Sequence, residues 1–371
     1  MKENIKIAAL LRGLSYKNNQ SAIVTYQFET IVSDEKTIVL SKSENIEKAI
    51  CQAVDLYVKE NGQFPQAVQI EGNGSFLIGD NYDEANKTGL ERKENLETVL
   101  TGKVSVVTGG AQGFGEGIVR SLADSGSLVF IADLNLEGAE KLAEEINRVK
   151  GFTTAFAISV NVCDEKSVED MVEEIVTIAG GIDVFISNAG VLKAGSVKEM
   201  SLKDFNFVTS VDYTGYFICT KFVSRLMAYQ NKFAKGNLSD IIQINSKSGL
   251  EGSNKNGAYA GAKFGGIGLT QSFALELIED NIKVNSICPG NFLDGPLWSD
   301  PDRGLFVQYL NTGKVPGAKT LADVRAFYEA KVPMKRGCTT EDVMKAVTYI
   351  VDQRYETGQA VPVTGGQLML K

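Results

Sequence analysis

The chain has 371 residues, 43% hydrophobic and 23% charged, with a net charge of −8. This length suggests two domains, and the acidic balance disfavours a nucleic-acid or anionic-membrane surface. It contains no histidine, which rules out histidine triads and imidazole-built zinc sites. Its five cysteines are scattered without a C-x-x-C pair, so neither a disulfide framework nor a thiolate metal site is expected, and a reducing cytoplasm suits them. No apolar run approaches the ~20 residues of a membrane span, and the start, MKENIKIAALLRG, is too short in apolar residues for a signal peptide.

Residues 1–98 read as a small α/β unit. SAIVTYQFETIV and KTIVL have strand character, and 44–60 is an amphipathic helix with Ile46, Ile50, Val54, Tyr57 and Val58 on one side. AVQIEG and SFLIG are short strands around Asn73-Gly74, and a polar helix is expected over 82–97. From residue 99 the pattern changes to repeated strand and helix. VSVVT (104–108), LVFIAD (128–133), TTAFAIS (153–159), DVFIS (183–187), IIQIN (241–245) and IKVNSIC (282–288) read as buried strands, with a helix over 165–178 and long helical segments between the later ones. The expected fold is α/β: a Rossmann-like, doubly wound parallel sheet over 99–371 with a small N-terminal α/β domain.

The chemistry sits at the ends of these strands. Thr108-Gly109-Gly110-Ala111-Gln112-Gly113-Phe114-Gly115 lies between a strand and a helix, where glycines let backbone N–H groups approach a pyrophosphate. Asp133 ends the next strand. Its carboxylate can accept hydrogen bonds from the ribose hydroxyls of NAD and would repel the extra phosphate of NADP, and the glycine turn carries no Lys or Arg to hold that phosphate. Ser187-Asn188-Ala189-Gly190 ends the fourth strand on the ligand-binding edge. Beyond the fifth strand, Ser246 precedes Tyr259-x-x-x-Lys263. A tyrosine ordinarily titrates near ~10, too high for a base at neutral pH. A lysine one helical turn along places a cation beside the phenol and favours phenolate, while a serine hydroxyl can polarise a substrate oxygen. Such a trio can move a proton while a hydride passes to or from nicotinamide.

Together these residues resemble the short-chain dehydrogenase/reductase family over roughly 100–371, on TGGAQGFG, Asp133, Asn161-Val162, SNAG, Ser246, Tyr259-x-x-x-Lys263, Pro289-Gly290 and the terminal TGQ…VTGG. The resemblance implies that Ser246, Tyr259 and Lys263 are catalytic. It places Gly109, Gln112, Gly113, Phe114 and Gly115 under the cofactor's phosphates. Asp133, Leu134, Asn161, Val162 and Asn188 fall on its adenosine side, and Ala189, Gly190, Pro289, Gly290 and Phe292 along the remainder. Tyr259 and Lys263 also contact it. Two positions depart from the family pattern. The asparagine that usually supports a proton-relaying water is Asp212 here, a fourth catalytic candidate, and the threonine often found five residues after the P-G proline is Asp294. A tetramer is also a family expectation.

Within the family, IIQINSKSG, AKFGGIGLTQSFAL, KVPMKRGC and TGQAVPVTGGQLM resemble segments of members that oxidise sugar-alcohol phosphates. The 291–337 segment then forms a substrate lid, and Lys193, Asn245, Lys247, Lys335 and Arg336 are the substrate-side candidates, Lys247 foremost. The alternatives are another small polyol or hydroxyaldehyde as substrate, or a protein of a different class, an NAD-binding sensor without turnover. The intact Ser246, Tyr259 and Lys263 argue against the sensor. AVQIEGNGSFLIGDNYDEANKTG resembles the later part of the aldolase domain in aldolase/dehydrogenase fusions that act on rhamnulose phosphate. Without histidine, that unit is expected to hold no catalytic metal and to serve packing or assembly.

Overall fold

The computed structural model describes every residue except 32, 33, 35, 92–95, 312, 370 and 371. Its N-terminal part contains helix α1 (Glu3–Leu14), strands β1 (Ile23–Gln27) and β2 (Thr37–Leu40), helix α2 (Ile46–Asn61), strands β3 (Ala67–Ile70) and β4 (Gly74–Gly79), and the short helix α3 (Tyr82–Asn86). The four strands pair in the order β1-β4-β3-β2, with only the β2–β3 pair parallel. The helix expected over 82–97 ends at Asn86, because Lys87 adopts the left-handed conformation and its N–H returns to the Asp83 and Glu84 carbonyls. Residues 92–95 of that segment, and residue 32 of the first expected strand, lie outside the described residues.

The remainder alternates strand and helix: β5 (Val104–Thr108), α4 (Gly113–Asp124), β6 (Leu128–Asp133), α5 (Leu136–Lys150), β7 (Ala155–Ser159), α6 (Glu165–Ala179) and β8 (Val184–Ser187). Then come α7 (Leu202–Thr209), α8 (Gly215–Asn231), β9 (Ser239–Ile244), α9 (Gly257–Leu277), β10 (Ile282–Pro289), α10 (Pro296–Ser299), α11 (Leu305–Asn311), α12 (Leu321–Ala330), α13 (Thr340–Asp352) and β11 (Ala360–Val363). The sheet order is β11-β10-β9-β8-β5-β6-β7, every neighbouring pair parallel. Strand order reverses between β5 and β8, and the crevice at such a switch point is where open parallel sheets bind ligands.

Each face of the sheet has its own apolar layer. Ile118, Val119, Leu142, Val347 and Ile350 from α4, α5 and α13 cover one. On the other face the layer is built by α6, α8 and α9 and runs on without a break into Ile5, Leu10, Leu11, Val24 and Phe76. The N-terminal sheet and α1 therefore share the core of the large sheet. A buried ion pair marks the join. Fully buried Arg12 donates through Nη2 to Asp183 Oδ2 at 2.5 Å and through Nη1 to the Ala22 carbonyl at 2.6 Å. Asp183 also accepts from the Val104 N–H and from Gln230. Burial works against the Asp183 anion, but Arg12, Lys103 and these hydrogen bonds hold its pKa below the usual carboxylate range. Removing either partner of such a pair strands a charge in the core. The 291–337 segment packs around its own small cluster of Leu293, Trp298, Leu305, Phe306, Tyr309, Val315 and Val324.

Candidate active site

The glycine turn after β5 needs its glycines for steric reasons. Gly109 and Gly113 have φ of 62° and 61°, in the left-handed region that side chains avoid. A Cβ on Gly115 would collide with the Gly109 carbonyl and lie 2.6 Å from Asn188 Nδ2. Asn188 Nδ2 donates to the carbonyls of Thr108 (3.0 Å) and Gly109 (2.9 Å), bolting the end of β8 to the turn. Its amide nitrogen is thus engaged within the protein, and Asn188 holds the end of β8 against the glycine turn. Thr108 Oγ1 accepts the N–H groups of Asn188 and Ala189 and completes the join.

At the end of β6, Asp133 accepts the Ala111 N–H on one oxygen and the Asn135 N–H on the other, both at 2.9 Å. That leaves one acceptor site on each oxygen. Beside it Leu134 is 74% exposed, an apolar surface suited to a purine ring. Asn161 is exposed with its Oδ1 on the Cys163 N–H, whereas Val162 is buried, its methyl 2.9 Å from where a Gly215 Cβ would stand. On the opposite rim Phe114 stacks on Phe292 with ring centroids 4.5 Å apart, joining the start of α4 to the loop after Pro289. The Gly290 N–H donates to the Val363 carbonyl and ties that loop to β11. The glycine cradle at the start of α4, with the free acceptors of Asp133 beside it, fits a dinucleotide's pyrophosphate and ribose.

The expected catalytic residues lie together at the ends of β9 and α9. Ser246 is extended and caps a short turn over Lys247–Gly249, its Oγ accepting the Ser248 N–H at 3.1 Å. Lys263 Nζ is 5.4 Å from the Tyr259 ring centroid, donates to the Ile244 carbonyl at 3.3 Å, and is 3.3 Å from Asp212 Oδ2. Asp212 belongs to a π-helical turn, Ser210–Thr214, between α7 and α8. Such one-turn widenings re-aim side chains inward. Its Oδ1 accepts the Val191 N–H at 2.7 Å, so the carboxylate also anchors the chain leaving SNAG. A Gly190 Cβ would stand 3.4 Å from Asp212 Oδ2 and 3.5 Å from Lys263 Nζ, which places Gly190 against the pair.

These contacts revise the expected electrostatics. Burial raises the Tyr259 pKa above that of free tyrosine; Lys263 and Ser246 pull it down, and Asp212 pushes it up. Burial lowers the Lys263 pKa, but Asp212 and Tyr259 more than reverse this and keep the ammonium charged. For Asp212 burial dominates over Lys263 and the Val191 N–H, raising its pKa. Lys263 alone would favour phenolate, as the sequence led us to expect. With a carboxylate facing it, the phenol keeps its proton to higher pH.

The substrate-side candidates separate. Asn245 is buried, its Nδ2 donating to Gln243 Oε1 and the Lys263 carbonyl and its Oδ1 accepting the Ser246 N–H. These bonds tie Ser246 and the Lys263 backbone to the end of β9. Lys193 pairs with Asp204. Arg336 forks onto Asp342 at 2.5 and 2.9 Å, and Lys335 Nζ donates to the Ala330 carbonyl. Lys247 is half-buried and makes no ion pair or Nζ hydrogen bond among the described residues. Asp294 pairs with Arg325 of α12 at 2.7 Å and ties the two ends of the 291–337 segment's helical part together. Sequence reasoning passed over Lys255, Lys314 and Lys331, which carry no motif.

Fold and site define an oxidoreductase of the Rossmann type that acts on CH–OH groups. A family model described as short chain dehydrogenase matches residues 103–299. Sorbitol-6-phosphate 2-dehydrogenase of Escherichia coli (strain K12) is 38% identical over 270 residues, covering 72% of this chain and 99% of its own length. The crystal structure of sorbitol-6-phosphate 2-dehydrogenase from Erwinia amylovora matches with a TM-score of 0.66 at 39% identity, covering 72% of this chain and 100% of that one. A 3-oxoacyl-(acyl-carrier-protein) reductase of Aquifex aeolicus (strain VF5) is 31% identical over 273 residues, covering 73% of this chain and 99% of its own length. The chain belongs to the short-chain dehydrogenase family, whose members bind NAD or NADP. Among the described residues no helix is long and apolar enough to cross a membrane.

Proposed function

We propose that this chain oxidises a sugar-alcohol phosphate, sorbitol 6-phosphate to fructose 6-phosphate, using NAD. The observation that carries the substrate is the similarity to two sorbitol-6-phosphate 2-dehydrogenases, each covered over essentially its whole length. For the cofactor, support comes from Asp133 at the end of β6, beside a turn that has no cation for a 2′-phosphate. Bound NAD would supply the hydride acceptor. Ser246 donates a hydrogen bond to the substrate oxygen, and Tyr259 takes its proton. Lys263 steadies the developing phenolate, and Asp212 keeps Lys263 charged. Exposed apolar side chains on α8 and α9, Phe217, Phe264 and Leu275, together with Tyr213 before α8, support assembly through this face and so a homo-tetramer. The N-terminal unit is assigned a packing role, supported by the Arg12–Asp183 bond and the shared core, rather than aldolase chemistry. Five free thiols fit the cytoplasm.

Initial rates test this. With NAD, kcat/KM for sorbitol 6-phosphate should exceed that for sorbitol by about 10-fold or more, the scale of one charge-assisted contact. NADP should serve poorly. Equal use of free and phosphorylated sorbitol would remove the phosphate from the assignment, and a preference for NADP would remove the role of Asp133. NAD binding with no turnover on any polyol or hydroxyaldehyde would favour a sensor.

A further inference from the structure

Among the described residues, Lys247, Lys255, Lys314 and Lys331 make no ion pair and no Nζ hydrogen bond, a condition they share with other surface lysines, and what sets them apart is where they lie. Their positions are related. Lys247 directly follows Ser246. Lys255 sits four residues before Tyr259, its carbonyl held by the Gly195 N–H at 2.8 Å. Lys314 follows α11 and Lys331 ends α12, both in the lid. Lys314 Nζ lies 3.9 Å from the Tyr309 ring centroid, Lys331 Nζ lies 4.1 Å from that of Phe327 and 5.1 Å from that of Tyr328, and the Tyr309 and Tyr328 rings stack 5.6 Å apart. The two ammonium groups thus hang from one aromatic platform.

The four cations are close enough to act on one another. Burial lowers the Lys247 pKa, Lys331 lowers it further, and Glu251 opposes both. Burial also lowers that of Lys314, with Lys255 and Lys331 adding to the effect. The lid therefore carries positive charge toward the two loops that hold the catalytic residues. Glu251 offsets Lys247 in part, and the remaining like charges stay unfavourable to one another until an anion arrives. In an extended sorbitol 6-phosphate the phosphorus is roughly 7 Å from the reacting carbon, from ordinary bond lengths. With its reacting oxygen at Ser246, its phosphate must bind farther out from that serine.

We propose that Lys247, Lys255, Lys314 and Lys331 form the subsite for the phosphate monoester of the substrate, with the lid contributing two of the four cations. This rests on the phosphorylated-polyol reading above.

The test uses the full-length protein with saturating NAD, comparing the unaltered enzyme with Lys314→Ala, Lys331→Ala, their double variant and Lys331→Arg. Read-outs are kcat/KM for sorbitol 6-phosphate and for sorbitol, and inhibition by inorganic phosphate against sorbitol 6-phosphate. Each alanine variant should lower the preference for the ester by about 10-fold, the double variant by more, and Lys331→Arg should regain most of it. Inorganic phosphate should compete in the unaltered enzyme and weaken several-fold in the double variant. An unaltered enzyme that prefers the ester, with a double variant that keeps both that preference and the phosphate inhibition, would overturn the subsite while leaving the proposed function intact. Absence of any preference for the ester would defeat the proposed function. The anion subsite would then survive only if phosphate inhibition was present and was lost in the double variant.

Discussion

On the cofactor wall of the cleft, Asp133 has both oxygens on backbone N–H groups, and Asn188 donates to two carbonyls of the glycine turn. On the substrate wall, Lys247, Lys255, Lys314 and Lys331 end without such partners among the described residues. The first wall is built before any ligand comes, with charges and glycines held by the sheet itself. The second, as proposed, is carried by the 291–337 segment and by loops, with a substrate anion to supply the counter-charge. On the proposed reading, the contrast teaches how one fold keeps a common cofactor while substrates vary: preorganisation belongs to the strand ends, and selectivity to the segment with its own small core around Trp298.

The largest expected effect lies where the walls meet. Tyr259→Phe removes the proton-transfer group and leaves the glycine turn untouched, so turnover should fall by about 10²-fold or more with NAD affinity nearly unchanged. Retained activity would dismiss Tyr259 as acid and base. Because oxidation requires the phenolate and burial raises its pKa, oxidation should climb as pH rises above neutral, whereas reduction, which needs the phenol, should hold over the same range. Asp212→Asn removes the charge that pushes Tyr259 up and, while Lys263 stays charged, should move the oxidation limb to lower pH. A limb that moved to higher pH would show that Asp212 acts chiefly through the charge of Lys263.

A smaller change should follow on the cofactor wall alone. Asp133→Ala should narrow the preference for NAD over NADP by about 10-fold, the scale of one charged hydrogen bond. Steady-state KM values for the two cofactors measure it, and an unaltered ratio would break the claim that this wall reads the ribose.

Arg336→Ala should have the smallest effect, because its guanidinium is already engaged by Asp342. The preference for a phosphate ester should change by less than about twofold, as expected when a half-exposed ion pair outside the site is lost. A large loss of ester preference would place Arg336 in the substrate wall after all. Its effect belongs to acid stability. Hydrogen bonding by Arg336, against some burial, holds the Asp342 pKa down to about 2, below the ordinary 3.8. The pair's contribution is therefore complete above the ordinary value and is lost as pH falls through about 2. Melting temperatures of the variant and the parent should differ most on the neutral side and converge in acid.

The parallel sheet, the glycine turn and the order of Ser246, Tyr259 and Lys263 were legible in the sequence because each depends on local rules. Left-handed φ at Gly109 and Gly113 demands glycine, strand ends carry the binding residues, and a four-residue spacing puts Tyr259 and Lys263 on one helix face. Helix α1 was not legible. Ile5, Ile7, Ala8, Ala9, Leu10 and Leu11 are apolar nearly all round, which gives no amphipathic period, and only burial between two sheets explains them. The 82–97 helix was overextended because Lys87 turns left-handed, a choice that residue type does not dictate.

The sequence by itself determined which chemical groups this protein possesses and how short stretches of backbone must run. Steric limits on φ, helical and strand periodicity, and the absence of histidine all act within a few residues. Tertiary structure alone decided which of its charges are neutralised. Arg12 meets Asp183 across 171 positions, Asp212 faces Lys263, and Lys193 and Arg336 are claimed by nearby acids, while Lys247, Lys314 and Lys331 make no ion pair among the described residues. Charge pairing depends on distance in space and on burial, and neither is set until distant segments have packed.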